Sequence, residues 1–212
     1  ELPEKMPLNG MTVTAQWTIN KYKISFNTDG GNAIDPIEAE YQSDITAPQD
    51  PERKGYTFEG WNPAIPAKIP AENLTEKAQW KAIKYKITFD TDGGNAIDPI
   101  EADYESDITA PQDPVKEGYT FTCWEPELPD KMPLDGLTVK AQWTINKYKI
   151  TFDTDGAGAI DPIEADYQSA ITAPKDPVKE GYTFAGWIPN IPATMPLDGL
   201  TVKAQWTKNQ YT

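Results

Sequence analysis

LTVKAQW at residues 137–143 sets Leu137, Val139, Ala141 and Trp143 against Thr138, Lys140 and Gln142, the two-residue alternation of a strand with one buried face. Its closing tryptophan recurs as Trp17, Trp80, Trp143 and Trp206, always 63 residues apart. Tyr22, Tyr85, Tyr148 and Tyr211 keep the same step, as do Trp61, Trp124 and Trp187. Residues 85–143 and 148–206 are identical at 47 of 59 positions. A fixed period of this length marks a tandem array, so the unit of folding is the repeat and not the whole chain. The register gives modules at 22–80, 85–143 and 148–206. Residues 1–17 (ELPEKMPLNGMTVTAQW) match 127–143 and read as the end of a preceding copy, and 207–212 as the start of a following one.

Working outward from 137–143, the middle copy shows three further strands. YKITF (85–89) alternates Tyr85, Ile87 and Phe89 against Lys86 and Thr88, and IEADY (100–104) alternates Ile100, Ala102 and Tyr104 against Glu101 and Asp103. YTFTCW (119–124) places Tyr119, Phe121 and Cys123 on one side. TDGGN (91–95) is a glycine-rich turn of the hairpin kind. Each full copy carries six prolines, here Pro99, Pro111, Pro114, Pro126, Pro129 and Pro133. Proline fixes φ and removes a donor, so this density yields short strands with rigid corners and excludes long helices, with at most one helical turn near PLDG (133–136). Only TINK (144–147) separates consecutive copies, which points to a semi-rigid rod of modules.

Composition narrows the function classes. Seven Trp, ten Tyr and six Phe argue for packed modules and against disorder. The net charge of −14, from 33 acidic and 19 basic residues, argues against nucleic acid as a partner. No run is long and apolar enough to insert in a membrane. One cysteine, Cys123, leaves stability to packing alone.

These residues resemble the Listeria/Bacteroides repeat, or internalin B-repeat, of bacterial surface proteins. Its pattern stands here as FDTDGG (89–94), DPVKEGYTFTCW (113–124) and LTVKAQW (137–143). Cys123 replaces the glycine of the sister copies (Gly60 and Gly186), and Ala157–Gly158 replaces Gly–Asn; both read as drift. The resemblance implies a mainly β, α+β module of the β-grasp-like kind, displayed outside the cell in arrays. It implies a non-enzymatic stalk or spacer, or, as the alternative, adhesin modules that bind a host protein or glycan. The partners are then the neighbouring repeats and such a host surface molecule, and anchoring lies in regions outside this segment.

Candidate chemistry is sparse. The chain has no histidine, and Cys123 stands in one copy of three, so no catalytic residue is assigned. Asp90, Asp92 and Asp98 surround the glycines of the 91–95 turn and are candidate calcium ligands, although the spacing falls short of an EF-hand and suits an ordinary turn. With Glu101 and Asp103 they also present a carboxylate cluster, which recurs in every copy and reads as a solvated acidic face. Trp61, Trp124 and Trp187 offer one aromatic platform per module for stacking on a ligand, or else pack in the core. Asn73–Leu74–Thr75 is a glycosylation sequon present in one copy.

Overall fold

The computed structural model describes Glu4, Lys5 and residues 7–210; Pro3 and the Tyr211–Thr212 start of a further copy lie outside the described residues. The chain forms two compact units, 1–84 and 85–212. The first contains one sheet, built from β1 (Lys21–Asn27), β2 (Ile37–Glu40), β3 (Tyr56–Asn62) and β4 (Leu74–Ala82). The second contains two sheets. One comprises β5 (Lys84–Asp90), β6 (Ile100–Asp103), β7 (Tyr119–Glu125) and β8 (Leu137–Ile145). The other comprises β9 (Lys147–Asp153), β10 (Ile163–Asp166), β11 (Tyr182–Ile188) and β12 (Leu200–Lys208).

All three sheets run in the order second, first, fourth, third strand. The first and fourth strands pair in parallel at the centre, with Ile24 opposite Leu74, Ile87 opposite Leu137 and Ile150 opposite Leu200. The third strand lies antiparallel on the fourth. A parallel pair requires the chain to cross from one end of the sheet to the other. Here that crossing is made by the proline-rich connections.

Those connections also cover the core. In the middle module, Met132 N–H donates to Ser106 O (2.9 Å), Ile108 N–H to Asp130 O (2.9 Å) and Glu105 N–H to Met132 O (3.0 Å). The segment after β6 and the segment after β7 are thus sewn together over one face of the sheet. Met132, Ile87 and Val139 are buried between the two layers, with Phe89, Ile108, Trp124 and Leu128 packed around them. The third module repeats this with Ile150, Met195, Val202, Ala204 and Trp187. The outer face of the sheet stays wet and carries paired threonines, such as Thr88 with Thr138 at 2.7 Å and Thr151 with Thr201 at 2.8 Å.

Two expectations change. The α+β, β-grasp-like label is corrected, because no helix occurs among the described residues; proline denies the covering segments the consecutive amide donors that a helix needs. PLDG is a turn, in which Gly136 N–H donates to Pro133 O (3.3 Å) with Asp135 and Gly136 at φ +64° and +74°. TINK is not a four-residue linker: β8 runs through Ile145 and β9 begins at Lys147, leaving Asn146 alone between them. Residues 11–17 show the same alternation as β4 yet form no strand, and Trp17 is 90% exposed.

Candidate functional site

The acidic turn is held by cations of its own module. Asp92 and Gly93 take positive φ (+49° and +91°), closing a tight turn in which Gly94 N–H donates to Thr91 O at 3.0 Å. Trp143 Nε1 donates to Thr91 O (3.1 Å) and Lys116 Nζ to Asp92 O (2.7 Å), pinning the turn to β8 and to the segment before β7. The Asp92 carboxylate faces Lys140 Nζ at 2.9 Å and Lys116 Nζ at 3.6 Å, and these ammonium groups, Lys140 foremost, hold it below the ordinary carboxylate range. Asp90 accepts from Asp92 N–H (3.0 Å), and Asp98 is exposed further along the loop. Two lysines therefore sit on the carboxylate best placed for a cation, and among the described residues no group of three or more acidic, cysteine or histidine side chains is set to hold a metal ion. Asp29 repeats the arrangement with Arg53 and Lys77, and Asp155 with Lys179 and Lys203.

The third module shows what the glycines of this turn do. A Cβ on Gly31 or Gly94 would lie 2.8 Å from the ring of Trp80 or Trp143. The third copy carries Ala157 there, and its Trp206 Nε1–Thr154 O bond is 3.3 Å, against 2.9 Å and 3.1 Å in the sister modules. Its Gly158 also replaces an asparagine whose side chain accepts from the backbone N–H of Glu52 or Val115 and whose own N–H donates back. Substitutions first read as drift thus loosen one turn. The double variant Ala157→Gly, Gly158→Asn is expected to stabilise the third module by about 1–2 kcal/mol through two regained hydrogen bonds, measured by hydrogen exchange at Thr154–Ala157.

Trp61, Trp124 and Trp187 point inward. Trp124 packs against Phe89 (5.1 Å between centroids) and Phe121 (5.2 Å), and Trp187 against Phe152 and Phe184, with 8% of its surface exposed. Simple alternation puts Trp124 opposite Phe121. A bulge between Phe121 and Cys123 restores it to the same face, so that Phe121 opposes Trp143 and Trp124 opposes Ala141. In the sister copies the bulge glycines, Gly60 and Gly186, take φ +127° and +123°; Cys123 replaces them and is exposed. The asparagine of the sequon is structural as well, since Asn73 Oδ1 accepts from Lys23 N–H at 2.8 Å.

Sequence reasoning missed the junction between the second and third modules, which lies within the 85–212 unit. Asn146 N–H donates to Gly118 O (2.9 Å), its Oδ1 accepts from Thr120 Oγ1 (2.6 Å), and its carbonyl accepts from Tyr167 N–H (2.9 Å). The Tyr167 ring lies directly on Gly118, where a Cβ would fall 2.0 Å from the ring, and its hydroxyl donates to Glu117 at 2.7 Å. That carboxylate raises the Tyr167 phenol above its ordinary value. Tyr119 and Tyr148 meet the same ring edge-on at 6.5 and 6.1 Å. Glu117 and Tyr167 are 50 residues apart, and nothing in either segment alone announces the contact.

Comparison with known proteins gives this architecture its relatives. A putative membrane protein of Evansella cellulosilytica is 34% identical over 225 residues, covering 95% of this chain and 34% of that protein. A putative Gly-rich membrane protein of the same organism is 31% identical, covering 98% of the chain and 27% of its own length. Internalin H of Listeria monocytogenes is 37% identical over 143 residues, which is 59% of the chain and 25% of that protein. The chain thus spans about a third or less of the relatives it matches. Among solved structures, Streptococcal High Identity Repeats in Tandem (SHIRT) domains 3-4 from a cell surface protein match at 15% identity and a TM-score of 0.25, covering 59% of this chain and 98% of that one. The family model for the Listeria-Bacteroides repeat domain matches three times, at residues 22–68, 85–127 and 148–199, and the chain belongs to that family.

Proposed function

We propose that this chain is a non-enzymatic spacer segment of a bacterial cell-surface protein, in which the modules supply reach. The observation that supports this reading best is the junction at Asn146. A single residue joins β8 to β9, and Tyr167 closes the joint against Gly118, Tyr119 and Glu117, so rotation of one module against the next would break ring contacts and hydrogen bonds together. Membership of the repeat family and the naming of two relatives as membrane proteins support a surface location. The excess of acidic side chains keeps such a segment solvated.

The test is a distance distribution between spin labels on the outer faces of the second and third modules. Cys123 is first replaced by glycine, the residue of its sister copies. A spacer requires one narrow distribution. Tyr167→Ala is expected to broaden it while leaving each module folded. A wild-type distribution as broad as that of freely jointed modules would defeat the reading.

A further inference from the structure

Glu76 lies where the other modules carry Val139 and Val202, on the inward face of the central strand, paired across the parallel ladder with Phe26. It is completely buried, as are its two valine counterparts. Both carboxyl oxygens lack a hydrogen-bond partner. The buried residues that share the core of this module are Ile24, Ile69 and Ala78.

No charge from the packed elements reaches it. The titratable groups on the half-buried faces of β1 and β3 are the phenols of Tyr22 and Tyr56; Lys21, Lys23 and Glu59 on those strands are exposed. Glu38 and Glu40 of β2 are exposed too. Lys77, next to Glu76 on β4, faces the other way and pairs with Asp29 at 3.4 Å, which also takes Arg53. In the covering segments Asp44 and Lys68 pair on the surface at 2.6 Å. A lone carboxylate in such surroundings is far more costly to bury than the neutral acid.

We propose that Glu76 makes the first module a pH-responsive link: it is closed when residue 76 is a neutral carboxylic acid and opens locally as the medium rises towards neutrality, while the valine-bearing second and third modules hold. Opening exposes the carboxyl to water, where it releases its proton; closing takes the proton up again. Burial raises the folded-state carboxyl above its ordinary range, in agreement with this direction. The sign follows from linkage. Between the ordinary carboxylate range and the raised folded-state value the closed form binds more protons, so closure weakens as pH rises and is fully present only below that window. The Asp44–Lys68 pair acts in the opposite sense, because Lys68 holds Asp44 low and the pair's contribution is lost in acid. Asp107 and Lys131 place the same pair in the second module, where Lys140 and Lys116 also hold Asp92 low; carboxylates held low are already ionised at pH 5, so a change in the ratio between pH 5 and pH 7.5 reports residue 76.

The experiment is hydrogen exchange read by mass spectrometry on the full chain at pH 5 and pH 7.5, corrected for intrinsic exchange, comparing β1 and β4 with β5 and β8. The ratio of the first module's opening constant to the second's is expected to rise by about tenfold or more with pH. Glu76→Val, which copies a residue that the sister modules fold with, abolishes the rise and brings the first module's protection to theirs. Glu76→Gln keeps the shape and cannot ionise, so it also abolishes the rise but leaves the module looser than the valine variant. A flat ratio in the wild type, or the same rise in Glu76→Val, overturns the proposal.

Discussion

Trp187→Ala is expected to lower the stability of the third module by about 3–5 kcal/mol, the range for deleting a buried tryptophan with incomplete collapse around the cavity. The side chain is 8% exposed and packs on Phe152 at 5.2 Å and Phe184 at 5.3 Å, within a cluster that includes Ile150, Met195 and Val202. At roughly 0.05–0.15 kcal/mol per residue, a unit of about 60 residues has about 3–9 kcal/mol in total. The loss therefore takes most of the module's stability. Hydrogen exchange in β9 and β12 should approach that of an unfolded chain, while β5 and β8 keep their protection. A tryptophan serving as a ligand platform makes the contrary prediction of near-neutral stability with binding lost. Protection retained at Ile150 and Val202 in the alanine variant would move Trp187 from the core to the surface role.

The four strands, and the inward faces of all but the third, could be read from residues 85–143 because alternation is a local signal. So could the absence of long helices, from the prolines. The parallel pairing of Ile87 with Leu137 could not, since it depends on how two irregular segments cross, and their hydrogen bonds join residues about 25 apart with no periodicity. The bulge at Cys123 hid the side on which Trp124 lies: one skipped residue reverses every inference drawn from alternation downstream of it. Glu76 carried a legible signal of another kind. The period places it in register with Val139 and Val202, and a charged residue in one copy at an inward position of the other two stands out on comparison. Burial turned that mismatch into an unpartnered carboxyl, which no pattern shows. The same comparison explains one exchange as harmless: Asp107 and Lys131 become Ala170 and Thr194 together, so an exposed ion pair is removed as a pair with its backbone bridge retained.

Gly136→Ala is expected to cost the second module about 2–5 kcal/mol, of which about 1–2 comes from holding an L-residue at positive φ and the rest from overlap. At φ +74° the added Cβ would stand 2.3 Å from the Lys86 carbonyl oxygen and 3.2 Å from its nitrogen. That backbone belongs to β5, whose ladder with β8 begins one residue later, so the strand cannot step aside without loosening the parallel pair at Ile87 and Leu137. Gly199 stands in the same relation to Lys149, with its Cβ at 2.2 Å from the carbonyl oxygen, and Gly199→Ala should match in the third module. The first module solves the crossing differently. Asn73 occupies the position and its side-chain oxygen accepts from Lys23 N–H, so a hydrogen bond stands where the others have close backbone approach. Asn73→Ala should therefore cost only about 1 kcal/mol, one exposed hydrogen bond and no overlap. Denaturant melts followed by exchange in each module would separate the two cases. A loss below about 1 kcal/mol for Gly136→Ala would show that β5 yields easily, and with it that the central parallel pair is not what holds the module together.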